Sequence, residues 1–237
     1  MIIDDYKKIK NDVLEINSKL RNVKGNSGIG EKNFMMCFFI YHFKLKTTLD
    51  LGVYGGGSLF PQATIHNKYT NGIVYGVDSY NKEDMKQFDC VHPSFLALQK
   101  ELSETLDVEE LYQYIINLIN TFNYQKNVIF LRKRSDQAIN YFIENNIYFD
   151  LMFIDGNHDT KNVMADVKNY IPRLNKNGFF IMDDTSWESV KPAYKYAKTQ
   201  LSFIYEPPRD GGFAILQKTD TENTALKEII NQIKEQS

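Results

Sequence analysis

The sequence predicts one α/β domain, residues 1–237, built on a doubly wound, mostly parallel sheet of seven strands. Two apolar runs, 151–154 and 179–182, each lead into aspartate, and one amphipathic segment, 161–174, separates them. This is the pattern of a β-α-β unit with parallel strands. Strand-like and helix-like segments alternate in the same way from residue 47 to residue 200, which favours helices on both faces of the sheet.

Two amino-terminal helices are predicted within residues 1–46. Apolar residues recur with helical spacing over 4–20, and a second helical segment covers 31–46. The glycine-containing loop 24–30 between them is predicted to be flexible. The apolar stretch 34–43 is too short and too interrupted to span a bilayer, and it is a candidate interface of a homo-oligomer.

The first three strands are predicted at 47–52, 72–77 and 127–131, and helices at 58–69 and 135–145 follow the first and the third. The segment 79–124, after the second strand, is far longer than a normal crossover and contains a helical run at 106–122. We expect it to be a helical insertion, or lid, at the carboxyl edge of the sheet.

The chain closes with a helix at 188–198, strands at 201–205 and 212–217, and a helix at 224–234. The two strands are joined by residues 206–211, EPPRDG, in which Pro-Pro and Asp-Gly are typical of turns. So short a connection predicts an antiparallel pair, and therefore an antiparallel strand at the sheet edge.

The composition excludes some classes of partner. With 28 basic and 30 acidic residues and a net charge of −2, neither nucleic acid nor a membrane is expected as a partner. Residues 1–13 are charged and lack the apolar core of a signal peptide. Two cysteines, Cys37 and Cys90, without a CxxC spacing are typical of a reduced, cytoplasmic protein.

A glycine-rich turn, LGVYGGGS, joins the first strand to its helix. Glycine permits tight turning and close approach of a ligand, and the helix that follows presents free N–H groups. The second strand ends in Asp78, whose carboxylate can accept hydrogen bonds from ribose hydroxyls. Together these features predict a ribose-bearing cofactor. Tyr54 stands where the dinucleotide fingerprint has its second glycine, which favours a nucleoside without pyrophosphate over NAD.

Acidic residues end both strands of the β-α-β unit: Asp155 follows the fourth strand, and Asp183 and Asp184 follow the fifth. The carboxyl ends of parallel strands meet at one edge, so these carboxylates should lie together and repel one another if left bare. A hard divalent cation such as Mg²⁺, which prefers oxygen ligands, would remove that repulsion. His158 follows closely, and imidazole suits proton removal near neutral pH. The alternative is that these aspartates only form turns or cap a helix.

The glycine turn resembles motif I of the class I S-adenosylmethionine-dependent methyltransferases, in the E-x-G-x-Y-x-G-x-S form of the catechol O-methyltransferase group. The resemblance covers roughly residues 47–217 and implies a Rossmann-like sheet that binds S-adenosylmethionine. The cofactor-binding residues that it implies are Gly52, Tyr54, Gly56, Ser58, Asp78, Ser135, Asp136 and Asp155.

The resemblance also implies which part of the cofactor each group contacts. Tyr54 and Ser58 would reach the methionine end, and Asp78 would hold the ribose. The segment RKRSDQA is similar to the family's adenine-binding segment after the third strand, which places Ser135 and Asp136 beside the adenine. Here Lys133 stands where the family often has glycine, so the sequence departs from the pattern at this point.

The segments FIDGNHD and FIMDDTS resemble the metal-binding segments of Mg²⁺-dependent O-methyltransferases, both the catechol type and the macrocin/mycinamicin sugar type. The resemblance implies that Asp155, Asp183 and Asp184 are the metal ligands and that His158 is the general base. Asn157 stands where some sugar methyltransferases have an aspartate base, and asparagine cannot accept a proton in that way.

The resulting hypothesis is an O-methyltransferase acting on a small hydroxylated acceptor, a sugar or a nucleotide-linked sugar. Mg²⁺ would orient the acceptor, and His158 and Asp155 would be the catalytic residues. Trp187 and His92 are candidates for lining the acceptor pocket. Three alternatives stay open: a metal-free small-molecule methyltransferase, an NAD-binding oxidoreductase of the same fold, and a protein that binds the cofactor without turnover.

Overall fold

The protein is described from a computed structural model that covers residues 2–21, 30–207, 212–221 and 223–235. Its strands are β1 (Thr47–Leu51), β2 (Ile73–Asp78), β3 (Val128–Arg132), β4 (Phe149–Ile154), β5 (Leu174–Met182), β6 (Ser202–Tyr205) and β7 (Ala214–Gln217). Its helices are α1 (Ile2–Asn17), α2 (Glu31–His42), α3 (Leu59–Ile65), α4 (Pro93–Thr105), α5 (Val108–Thr121), α6 (Ser135–Glu144), α7 (Thr160–Tyr170), α8 (Lys191–Gln200) and α9 (Thr224–Lys234). Most of the loop predicted at 24–30 and of the turn predicted at 206–211 lies outside the described residues.

The seven strands form one sheet in the order β3-β2-β1-β4-β5-β7-β6. The pairs from β3 to β5 are parallel, whereas β7 runs antiparallel to both β5 and β6. The strand order reverses between β1 and β4, and open α/β sheets bind ligands at the carboxyl ends of strands at such a point. The predicted doubly wound, mostly parallel sheet is confirmed, with the antiparallel pair at its edge.

Both faces of the central strands β1, β2 and β4 are largely buried, as their nearly continuous apolar runs predict. In β4, Leu151 and Phe153 face one layer of helices, and Met152 and Ile154 face the other. The first layer contains α1, α2 and α9, and the second contains α6, α7 and α8. Helices α3 and α5 share a further apolar cluster with β2 and β3, and α3 packs beside α1 and α2.

Helix α2 is a core element. Its residues 33–40 are buried, and the ring of Phe39 lies 4.8 Å from the ring of Phe179 on β5. Most of the apolar stretch 34–43, predicted as a candidate oligomer interface, is therefore used inside the chain. Among the described residues, no helix combines the length and the apolar character that crossing a membrane requires.

The insertion between β2 and β3 contains α4 and α5. The helical run predicted at 106–122 is α5, which buries Leu111, Ile115 and Ile119. Asp107 caps this helix, because its side chain accepts hydrogen bonds from two backbone N–H groups of the first turn. The sequence-based interpretation misses α4: Pro93 reads as part of a loop there, although proline is favourable in the first turn of a helix.

Residues Phe142 and Ile143, neighbours on α6, test how far the helix layer stabilises the sheet. Phe142 is fully buried with its ring 4.9 Å from that of Phe149, whereas Ile143 is 49% exposed. We expect Phe142→Ala to lower the free energy of unfolding by about 3–5 kcal/mol, because a buried cavity remains. The control, Ile143→Ala, should change it by no more than about 0.5 kcal/mol. Urea denaturation measures both, and equal effects would contradict this packing.

Candidate functional site

The carboxyl ends of β2, β1, β4 and β5 are joined by hydrogen bonds that continue the sheet beyond the strands. The N–H of Gly52 donates to the carbonyl of Val77 at 2.9 Å, and the N–H of Asp155 donates to that of Leu51 at 2.9 Å. The N–H of Asp183 likewise donates to the carbonyl of Ile154 at 3.1 Å. The glycine turn and the two acidic segments are therefore neighbours along one edge, as the parallel topology predicts.

Gly52 begins the glycine turn in a conformation that only glycine adopts easily. Its φ is +93°, and a Cβ atom there would lie 1.9 Å from the carbonyl oxygen of Asp155. No rearrangement of a flexible side chain can relieve this contact, because the opposing atom belongs to the backbone. The close approach of β1 and β4 at this point thus depends on Gly52.

Tyr54 also has a left-handed backbone conformation, with φ +45°. Three contacts stabilise it: the Asp78 carboxylate accepts the N–H of Tyr54 at 2.9 Å and that of Tyr80 at 3.0 Å, and the Tyr80 hydroxyl donates to the Tyr54 carbonyl at 2.6 Å. Burial and the nearby Asp78 raise the pKa of Tyr54 to about 12, so its hydroxyl stays protonated at neutral pH. Asp78 therefore fixes the turn and still retains acceptor capacity on both oxygens.

The remaining residues of the turn face inward. Ser58 is buried, and its hydroxyl lies 2.8 Å from each carboxylate oxygen of Asp50 in the middle of β1. Burial raises the pKa of Asp50 well above its ordinary value. Gly56 has a φ of +81°, and a Cβ there would clash with the ring of Phe60 at 2.5 Å. The sequence interpretation did not single out Asp50, although a lone acid in an apolar strand is a recognisable signal.

Ser135 and Asp136 open α6, next in line after β3. The side chain of Asp136 is exposed and pairs with Arg134, whose Nη2 lies 2.9 Å away. The carbonyl of Ser135 accepts a hydrogen bond from the Tyr170 hydroxyl at 2.9 Å. Burial raises the pKa of Asp166, on α7, to about 7, against the opposing hydrogen bond from Ser135. Of the two predicted adenine contacts, Ser135 is the one that faces the protein interior.

Asp155, His158 and Asp184 form the acidic centre of the edge. One potential ligand atom from each lies within 4.8 Å of the others. The Nε2 of His158 is 3.4 Å from an oxygen of Asp155 and 3.0 Å from an oxygen of Asp184. This nitrogen is buried and has no hydrogen-bond partner of suitable geometry. Two carboxylates around such a nitrogen are a donor set that fits a divalent cation of the Mg²⁺ or Mn²⁺ class.

The pKa of His158 reflects its neighbours. Burial alone would lower it, but the carboxylates of Asp155 and Asp184 raise it to about 10. With no cation bound, the imidazole therefore carries a proton at neutral pH and partly neutralises the two acids. Asp184 reaches this position through a left-handed backbone, with φ +54°, which turns it away from its neighbour Asp183.

Asp183, the other predicted metal ligand, makes a different contact. Its carboxylate is paired with the ammonium group of Lys32, which also lies 3.8 Å from an oxygen of Asp155. Only 6% of the Asp183 side chain and 14% of the Lys32 side chain are exposed. Sequence reasoning did not find Lys32: it lies on α2, 151 residues before its partner, and no motif includes it.

The insertion is fastened directly beside His158. The carboxylate of Asp159 accepts the backbone N–H groups of Phe88, Asp89 and Cys90 at 2.7, 2.8 and 3.2 Å. In return, Asp89 accepts the N–H of Thr160 at 2.9 Å, which caps the start of α7. The insertion is thus attached by its backbone to the loop that follows β4, at the carboxyl edge of the sheet.

Aromatic and polar side chains surround the space over the acids. The rings of His92 and Trp187 are stacked with centroids 4.5 Å apart, and Trp187 lies 4.8 Å from His158. The side-chain amide of Gln87 is 3.2 Å from Nδ1 of His158. Buried polar atoms without a hydrogen-bond partner line this region: Oε1 of Gln87, Nδ1 of His92 and Nε1 of Trp187. Such atoms are suited to a polar ligand.

Comparison with known proteins shows the family and the fold that this chain shares with them. The family model of the methyltransferase domain matches residues 49–185, from β1 to just beyond the acidic pair.

Solved structures with the same fold include several methyltransferases. An O-methyltransferase from Bacillus cereus in complex with SAH has a TM-score of 0.58 and 14% identity, and the match covers 89% of this chain and 90% of that one. An O-methyltransferase from Streptomyces achromogenes, involved in tomaymycin synthesis and in complex with SAM, has a TM-score of 0.58 and 9% identity, with 91% and 89% covered. An SAH-bound methyltransferase from Podospora anserina has a TM-score of 0.54 and 14% identity, with 92% and 88% covered. No curated protein matches the sequence. At these identities the solved structures show a shared fold.

Two glycines of the edge provide a matched test of the turn. A Cβ at Gly52 would meet the Asp155 carbonyl at 1.9 Å, whereas one at Gly156 would meet its nearest atom at 3.4 Å. We expect Gly52→Ala to lower the thermal unfolding midpoint strongly or to abolish folding, and Gly156→Ala to leave it nearly unchanged. Differential scanning calorimetry measures both, and a stable Gly52→Ala protein would contradict the close approach of β1 and β4.

Proposed function

The chain belongs to the methyltransferase domain family, and on that premise we propose that it is an S-adenosylmethionine-dependent O-methyltransferase for a small hydroxylated acceptor. The bound SAH and SAM of several proteins with this fold support the cofactor. The observation that carries the proposal is His158 Nε2, which lies between two carboxylates at the same sheet edge as the glycine turn. That arrangement has the groups needed to hold an acceptor hydroxyl and to take its proton.

The proposed cofactor site follows the turn from β1 to β3. Tyr54 and Ser58 would lie toward the methionine end, Asp78 would bind the ribose, and Ser135 would lie by the adenine. The hydrogen bonds that Asp78 and Tyr80 make to Tyr54 support this assignment, because they hold the turn rigid before the cofactor arrives. The same proposal includes backbone or peripheral contacts to the cofactor from Gly52, Gly56, Asp136 and Asp155.

We infer that Asp155 and Asp184 hold a divalent cation such as Mg²⁺, with Asp183 beside them. The cation, when bound, would polarise the acceptor hydroxyl and favour its ionised form. The cation would also offset the two carboxylates that keep the imidazole protonated, and neutral His158 would then accept the proton at Nε2. For this the imidazole would carry its other proton on Nδ1. The side-chain amide nitrogen of Gln87 lies 3.2 Å from Nδ1, and with the amide turned over its oxygen would accept a hydrogen bond from the Nδ1–H group. Gln87 therefore acts as a positioning residue for the base.

The proposed acceptor is a sugar or a nucleotide-linked sugar, on the basis of the sequence resemblance to the macrocin and mycinamicin enzymes. The aromatic rings of Trp187 and His92 and the unpartnered polar atoms beside them suit a ligand with both apolar faces and hydroxyl groups. A cytoplasmic location, without nucleic acid or membrane as a partner, belongs to the same proposal and rests on the charge balance and on two free cysteines.

A metal-free methyltransferase is the second candidate, and one observation favours it. Lys32 and His158 already place side-chain cations against the three carboxylates. These groups would then take over the neutralisation of the acids, and the enzyme would need no divalent ion.

The requirement for a cation separates the two candidates. We expect transfer from S-adenosylmethionine to a panel of nucleotide sugars and vicinal diols to require Mg²⁺ and to stop with EDTA. Asp184→Asn should lower turnover by about 100-fold or more, since even groups behind a metal ligand are worth about 10–100-fold. Asp220→Asn, an exposed acid paired with Lys176, is the control. Release of S-adenosylhomocysteine measures turnover, and full activity in EDTA would favour the metal-free enzyme.

Replacement of His158 tests the base. We expect His158→Ala to lower kcat by about 10²–10⁴-fold, the usual contribution of a general base. Affinity for S-adenosylhomocysteine, measured by calorimetry, should stay unchanged, and NAD should not bind. His42→Ala, at the other end of α2 from Lys32, is the matched histidine control. A variant that keeps its kcat would rule out His158 as the base, and tight NAD binding would contradict the choice of cofactor.

A further inference from the structure

Lys32 lies in the site, and the proposed methyl transfer assigns no role to it. Its ammonium group contacts Asp183, lies 3.8 Å from Asp155 and stands 5.5 Å from the ring centre of Phe153. Only 14% of its side chain is exposed. The largely buried ammonium group is paired with acids, and those acids are residues at which a divalent cation is expected.

The position of Lys32 is fixed by its neighbours in sequence. Glu31 accepts a hydrogen bond from the Tyr205 hydroxyl on β6 at 2.8 Å, and the amide of Asn33 donates to the carbonyl of Gly57 in the glycine turn at 3.1 Å. The residues on both sides of Lys32 are thus anchored, one to the sheet edge and one to the proposed cofactor turn. The first turn of α2 cannot move away from the acids without losing these bonds.

We propose that Lys32 is a built-in counter-cation that competes with the divalent ion for the acids, so that Asp183 serves Lys32 while Asp155, Asp184 and His158 face the metal. The inference rests on the metal site of the proposed function. Lys32 repels an incoming divalent ion and withholds Asp183 as a ligand. Both effects weaken metal binding, and both disappear when the positive charge is removed.

Mn²⁺ binding to the purified protein, measured by the electron paramagnetic resonance signal of free Mn²⁺, tests this without any acceptor. We expect Lys32→Met to bind Mn²⁺ at least about tenfold more tightly than the unmodified protein. The reason is that the repulsion between two positive charges a few ångströms apart in a partly buried site exceeds the free energy that corresponds to a tenfold change in affinity. Lys32→Arg, which keeps the charge, should bind as the unmodified protein does. Lys176→Met, which removes an exposed lysine, should leave Mn²⁺ affinity unchanged.

A double variant and thermal unfolding give independent readouts. Lys32→Met/Asp183→Asn should lose most of the gain, because the freed carboxylate is no longer there to bind the ion. Without metal, Lys32→Met should unfold at a lower temperature than the unmodified protein, since Asp183 is left buried and unpaired. Mn²⁺ should raise the unfolding midpoint of Lys32→Met by more than it raises that of the unmodified protein. If Lys32→Met does not fold, Lys32→Gln supplies the neutral side chain.

The outcomes separate this inference from the proposed function. The neutral Lys32 variants could bind Mn²⁺ no more tightly than the unmodified protein, while binding still depends on Asp155 and Asp184. That result overturns the role of Lys32 and leaves the metal site in place. Binding that is unaffected by Asp155→Asn and Asp184→Asn, or absent from every variant, overturns the metal site and the counter-cation together. Tighter binding by Lys32→Met alone, reversed by Asp183→Asn, supports the inference.

Discussion

Repulsion among three carboxylates at one sheet edge is the constraint on which the rest of this site depends. The parallel strands β4 and β5 end side by side, and their backbones leave Asp155, Asp183 and Asp184 together in a partly buried place. Such a cluster is stable only if positive charge enters it. The structure supplies that charge from two directions: Lys32 arrives from the amino-terminal helix, and His158 from the loop after β4.

The different contacts of the acids Asp183 and Asp184 follow from local backbone geometry. Consecutive residues Asp183 and Asp184 make different contacts because Asp184 adopts a left-handed conformation. One carboxylate thus faces Lys32 and the other faces His158. The same edge contains two further left-handed residues, Tyr54 and Tyr80, which are linked to Asp78 and to each other by hydrogen bonds. Strained backbone of this kind often occurs at functional sites, and here it fixes the turn beside Asp78.

The sequence predicted the sheet well, because its signals are local. Strand β4, for example, is an apolar run with turn residues on either side, and the glycine turn and the acids after β4 and β5 are contiguous motifs. The contacts made by Lys32 could not be predicted in this way, since they join residues that are 151 positions apart and belong to different layers. The attachment of the insertion through Asp159 was equally hidden, because its partners are backbone N–H groups, which have no side-chain signature.

Boundaries were harder to predict where polar residues continue a regular element. Strand β5 begins at Leu174, well before the apolar run at 179–182, and its pairing with β4 shifts register between the two. Polar residues 175–177 lie at that irregularity and conceal the strand from any pattern of apolar residues. Ser58 and Asp50 illustrate a different limit: the turn motif identified the serine, but its hydrogen bond to the buried Asp50 is a contact that only the three-dimensional structure shows.

The central claim is that this edge gathers acids to hold a cation beside a methyl donor. Anomalous diffraction from crystals grown with Mn²⁺ and S-adenosylhomocysteine tests it most directly. We expect one strong peak within about 2–2.5 Å of oxygens from both Asp155 and Asp184, the range expected for hard divalent cations. We also expect the nucleoside along the turn from Gly52 to Asp78. A nucleoside bound there with no peak between the two aspartates, or with the peak elsewhere, would contradict the account.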